Sequence, residues 1–219
     1  DDEWKPDMVR ETVKAIKALD GPQVNKTGAI SSGTELKKNN EIVAFGYQKN
    51  YGNLEESIKT KGAFTLSSSS IYSVYALNKI GKFDESLKSS IDHDIWMALA
   101  SGGFSVVAVN KPLVITHISQ RIRLTTNPQH RLISLDLYLG KWLPTYQTWF
   151  GQHKGIGYAN RYFAKVASNL AVSKCLSGEF GYSAMVTKSL FKKNPNLLQN
   201  MKYLIESFSR AAVLKMWDT

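Results

Sequence analysis

One cysteine, Cys175, occurs in 219 residues, so neither an intramolecular disulfide nor a cysteine-cluster metal site can hold the fold together. That usage fits a reducing compartment. Long apolar runs are lacking too: none approaches the roughly 18 residues of a membrane-spanning helix. No methionine and no basic-then-apolar leader opens the chain, which begins Asp1-Asp2-Glu3. The expectation is a piece of a longer protein whose N-terminal part is missing. What is present is ordinary for a packed protein. Hydrophobic residues make up 43% and aromatics 11%, too many for wholesale disorder, and the length suffices for one or two cores.

Acidic residues are scarce in one place only. Residues 1–150 carry 18 Lys/Arg against 15 Asp/Glu, whereas residues 151–219 carry 10 against 3, which is +7 of the +10 total. Nucleic acid, an anionic membrane surface, or no specific partner would each account for a basic tail. The nucleic-acid reading rests on charge alone, without a glycine- and aromatic-rich surface motif, and is set aside. In the membrane reading, Lys188, Lys192, Lys193, Lys202, Arg210 and Lys215 alternate with Phe191, Leu197, Leu198, Met201, Leu204, Phe208 and Trp217, as in a basic amphipathic helix on lipid. A packed helix with a solvated face has the same pattern.

Helical spacing of Val9, Thr12, Val13, Ile16 and Leu19 after Pro6 predicts a first helix, stopped by Asp20-Gly21-Pro22. Residues 28–36 and 42–47 predict a hairpin about the polar turn 37–40. Short helices are expected over 53–59 and 74–80, with a loop at Gly62 and the serine run 67–70 between them. Ser90 is the expected cap of a helix bearing Ile91, Ile95, Trp96 and Leu99, ended at Gly102-Gly103. β-Branched residues predict strands over 104–109 and 113–118. Asn127-Pro128 opens a helix with Leu132, Leu135, Leu139 and Trp142 on one face. Only helices are expected after Trp149, near 158–176, 179–193 and 196–216. The class is α/β: a mixed-sheet domain over residues 1–148, then a small all-α extension over 149–219.

One stretch of about 35 residues, Ile80 to Val114, carries a pattern of another kind. A helix ends at Gly81, Phe83-Asp84-Glu85-Ser86-Leu87 follows, then Asp92 and Trp96 on a helix, Gly103, and Pro112-Leu113-Val114 on a strand. In order and spacing this resembles the C-terminal half of family 2 glycosyltransferases of the GT-A fold. The opening Asp1-Asp2-Glu3-Trp4-Lys5-Pro6 looks like the end of that family's Asp-x-Asp passage, with Asp1 as the second aspartate. The resemblance covers residues 1 to about 145, poorly over about 25–60. Two positions depart from the family pattern: Ile91 stands where an acid usually precedes the base, and Ala98 where an arginine is frequent.

The resemblance implies a metal-dependent, inverting transfer of a sugar from a nucleotide-diphosphate donor to a glycan, lipid-linked or protein acceptor. A divalent cation, magnesium or manganese, would neutralise the leaving diphosphate. Asp1 would be a ligand, Asp2 its neighbour, and His117 a second metal-side residue. Asp92 would be the general base that takes the acceptor's proton. Gly62 and the serine run from Ser67 to Ser70, Ser69 and Ser70 foremost, would line the donor and acceptor pocket, and Arg121 and Arg123 would meet donor phosphates. From the residues alone, plainer readings stay open. Asp1 to Glu3 are also acids ahead of a helix, Asp92 also suits a first helical turn, and the two arginines also suit a solvated loop. The location implied is the cytoplasm, peripheral at the membrane if the tail binds it. The alternative function is a non-catalytic relative or a helical partner-binding module.

Overall fold

The computed structural model describes residues 2–38, 40–47, 52–62, 67–117 and 127–216. Strand β1 (Asp2–Trp4) leads into helix α1 (Met8–Lys17) and the short helix α2 (Gly21–Lys26). The Asp20-Gly21-Pro22 run expected only to stop a helix also starts one. Asp20 accepts a hydrogen bond from the Gln23 N–H while the Gln23 side chain accepts from the Asp20 N–H, a reciprocal cap. The predicted hairpin forms from β2 (Thr27–Lys38) and β3 (Glu41–Gly46), paired antiparallel with Lys38 opposite Glu41. Then come β4 (Gly52–Asn53), α3 (Leu54–Lys61), a 3₁₀ turn (Ser67–Ser69), β5 (Ser70–Tyr72), α4 (Val74–Ile80) and α5 (Ile91–Ser101). Strand β6 (Ser105–His117) runs straight through Pro112, where two strands were expected. Proline lacks a ladder donor, and the pairing of β6 with β2 shifts register beside it, at Gly33.

These strands make one mixed sheet in the order β1-β6-β2-β3. Strands β2 and β6 are parallel, and β1 and β4 join β6 antiparallel, while β3 and β5 join β2 antiparallel. A parallel pair requires a crossover, and α3, α4 and α5 lie within it. Met8 anchors α1 in a cluster with Leu113 and Val114, against Ile71 and Val109. Met8 and Thr12 are the buried side, so of the helical repeat read from sequence Thr12 packs inward while Val9, Val13 and Ile16 are exposed.

By its contacts the chain divides into two units, Asp1–Ser86 with Ser90–Ile122, and Leu87–Ser89 with Arg123–Thr219. Among the described residues the elements of the second are all helices: α6 (Pro128–Phe150), α7 (Gln152–Leu176), α8 (Phe180–Lys193) and α9 (Leu197–Met216). Asn127 caps α6 as expected, its Oδ1 accepting from the N–H groups of Gln129 and His130. The sequence reading put α6 with the mixed sheet; by its packing on α7 it belongs to the helical unit. Gly155 lets the two approach, since a Cβ there would stand 2.6 Å from the Gln147 Cα. Tyr138 and Tyr146 share a buried hydrogen bond of 2.7 Å between their hydroxyls. No helix among the described residues is long and apolar enough to cross a membrane.

Candidate functional site

Helix α5 is buried at every position from Asp94 to Ala100, so it is enclosed on all sides rather than along one stripe. Its first turn alone is half-buried, and Asp92 stands there. Ser90 takes the N-cap position but does not cap: its φ is 64° and its buried Oγ bonds to no described residue. A non-glycine residue in the left-handed region costs free energy, and such residues gather where a site needs them.

The Ser67 N–H donates to Asp92 Oδ1 at 2.9 Å. On the neighbouring residue, the Ser68 carbonyl accepts from the Trp4 indole N–H at 2.8 Å. The two segments nominated from sequence, residues 2–4 and 91–96, therefore meet on one serine turn. That turn is itself fastened to β2. The Ser31 and Ser32 hydroxyls both donate to the Ser69 carbonyl, at 3.4 Å, and the Ser70 hydroxyl donates to Ser31 Oγ at 3.2 Å. Ser69 and Ser70 are buried, so these two expected pocket residues face β2. Gly62 closes α3 in the left-handed region, at φ 57°, with its N–H on the Ile58 carbonyl.

At the other end of β1, Glu3 lies opposite Ile115, which puts its side chain on the same face as His117 two residues on. Glu3 Oε1 and His117 Nε2 are 2.9 Å apart. Lys5 pairs with the buried Glu35 of β2 nearby. Carboxylate and imidazole are donor types that suit a divalent cation, but they are two donors, and no group of three or more metal-ligating side chains occurs among the described residues. Asp1, Arg121 and Arg123 lie outside those residues, so the expected first ligand and both expected phosphate contacts do too.

No family model, no curated protein and no solved structure matches this chain. The site therefore stands on its own geometry. Two hollows in the sheet unit, of about 190 and about 530 Å³, are lined from α2, β2, β4, β5 and β6, and Asp92 lines neither. Sequence reasoning placed the serine run 67–70 at the pocket, but gave no role to Tyr72 and none to Glu3 as the partner of His117. Ser67 and Ser68 meet Asp92 and Trp4 through backbone groups, which any residue supplies, so side-chain chemistry does not reveal those two contacts.

Tyr72 borders Asp92 and the same turn. Its hydroxyl donates to Ser67 Oγ at 3.3 Å. Burial is the chief cause that raises its pKa, the Ser67, Ser70 and Trp96 side chains oppose the rise, and the Asp92 charge adds to it. The unfolded chain ionises its tyrosines near pH 10, while folded Tyr72 keeps its proton to higher pH. The native state then holds more protons, so stability is intact below about pH 10 and falls above it, by at most about 1.4 kcal/mol per pH unit from this group. Urea unfolding from pH 9 to 11 measures that loss, and Tyr72→Phe is expected to make it shallower. An unchanged slope in the variant would contradict the assignment.

Proposed function

We propose that this chain is the acceptor-side part of a GT-A nucleotide-sugar glycosyltransferase, inverting and metal-dependent, in which Asp92 is the general base. The observation that carries the reading is the serine turn: it holds the Asp92 carboxylate by Oδ1 on one side and takes Trp4 of the acidic segment on the other. A carboxylate fixed by one oxygen keeps the other for a proton. Asp92 takes the proton of the acceptor hydroxyl as its oxygen attacks the anomeric carbon. The bond from that carbon to the diphosphate breaks, and the diphosphate leaves with the electron pair. A bound magnesium or manganese ion would supply Lewis-acid neutralisation of that leaving group. Glu3 and His117 are donors of a suitable kind on the acidic side of the turn, and Asp1 is the expected third. A mixed sheet with helices in its crossover is compatible with such a domain. The cytoplasm is the location that suits soluble sugar nucleotides and the one cysteine.

The test is release of nucleoside diphosphate by the full-length protein from a panel of sugar nucleotides, with magnesium or manganese and again with a chelator. Release or transfer with at least one donor, abolished by the chelator, is expected. If no sugar nucleotide binds and none is consumed, the proposal fails.

A further inference from the structure

Helix α9 puts polar groups on its inner face. Among its described side chains the two buried ones are polar, Asn200 at 0% exposed and Ser207 at 7%, beside the half-buried Tyr203 and Leu204. Asn200 exchanges hydrogen bonds with Asn194 at the end of α8, donating to its carbonyl at 2.8 Å and accepting from its amide at 2.7 Å. Ser207 donates to Asn169 Oδ1 of α7, also at 2.7 Å. Five apolar residues lie outside. Leu198 is 84% exposed and Ile205 60%, with Leu197, Met201 and Phe208 also exposed. At 3.6 residues per turn these five span an arc of about 100°, a single stripe along the helix. An apolar stripe that its own fold leaves uncovered marks an interaction surface.

Charge selects the occupant. Lys202 stands beyond the Leu198 edge of the stripe and Arg210 on the far side of the helix, at 3.9 and 3.6 Å from the one glutamate between them, Glu206. Lys188, Lys192 and Lys193 of α8 are exposed just before the turn into α9. The turn is pinned by Asn194 and Asn196, whose side-chain oxygens accept from the N–H groups of Asn196 and Gln199, so α9 is presented at a set angle. A second copy of this chain would bring another +7 tail against the first, which like-charge repulsion opposes. A nucleic acid would use the cations and leave an aliphatic stripe in water. An anionic bilayer satisfies both features, because the stripe enters the headgroup boundary and Lys202 at its edge meets lipid phosphates, with the surplus positive charge of the tail adding long-range attraction.

We infer that α9 docks this protein on anionic membrane surfaces, lying in the plane of the interface with Leu198, Met201, Ile205 and Phe208 downward. This surface is separate from Asp92, and its test needs no turnover. The whole chain is sedimented with vesicles of phosphatidylcholine alone and of phosphatidylcholine with about 30 mol% phosphatidylglycerol. Binding to the anionic vesicles, weakened by salt and at least about tenfold tighter than to neutral ones, is expected. Leu198→Ser with Ile205→Ser lowers that affinity about tenfold or more. Lys202→Gln lowers it about fivefold. These positions are all exposed, so circular dichroism and melting stay as in the parent. No binding to anionic vesicles, or serine variants that bind as the parent does, overturns the inference. So does a stripe that proves to mediate self-association in solution, read as a serine-sensitive dimer by sedimentation.

Discussion

Asp92→Asn in the full-length protein is expected to lower sugar transfer at least a hundredfold, at unchanged fold and with donor binding retained. General-base catalysis contributes typically about 10²–10⁴ in rate, and an amide in place of the carboxylate cannot take the acceptor's proton. The substitution keeps the shape. Its Oδ1 can still accept the Ser67 N–H, now held at 2.9 Å, so the serine turn has no reason to move. Asp94, two residues on, makes the contrast. It is 2% exposed, on a part of α5 with no access to an acceptor, so Asp94→Asn changes stability before it changes chemistry. The measurement is kcat for both variants beside their thermal midpoints. A kcat for Asp92→Asn within about threefold of the parent would remove Asp92 as the base, whatever the remainder of the site does.

The elements legible in the sequence are those whose signals are local. Ser73 and Gly81 bracket α4 as a cap and a left-handed stop; Asn127 and Pro128 open α6; the alternation about residue 39 gives the β2–β3 hairpin. Each depends on residues within a few positions of one another. What escaped was set by partners far along the chain. Two strand-forming residues after a run of four serines do not announce a strand, yet Ser70, Ile71 and Tyr72 become one because β2 offers them an edge. Ser90 reads as a cap, but the left-handed backbone that the turn into α5 imposes points its hydroxyl elsewhere. The polar inner face of α9 was hidden for a similar reason. Periodicity shows that a helix has an apolar side; it does not show which side the neighbouring helix takes, and here Asn169 and Asn194 claim the polar one. For the site, the sequence pointed to Asp92 and His117, but their partners Ser67 and Glu3 are matters of register and backbone.

Trp96 shows how a motif residue can belong to the core and still govern the site. It is 0% exposed, one turn along α5 from Asp92, and its side chain opposes the rise in the Tyr72 pKa. Removing it leaves a cavity beneath both Tyr72 and the first turn of α5. Trp96→Ala is therefore expected to cost about 3–5 kcal/mol, as large aromatic truncations in cores do. Against a total stability of about 5–15 kcal/mol, that brings the sheet unit close to unfolding at ordinary temperature. Trp96→Phe keeps most of the packing and drops only the N–H, so a smaller loss of about 1–2 kcal/mol is expected. Urea unfolding of the two variants beside the parent separates volume from hydrogen bonding. Should Trp96→Ala unfold within about 1 kcal/mol of the parent, α5 would not be the enclosed helix its burial implies, and the rigid footing it gives Asp92 would go with it. With the footing intact, activity lost in Trp96→Phe without matching instability would instead trace to Tyr72 and the serine turn it braces.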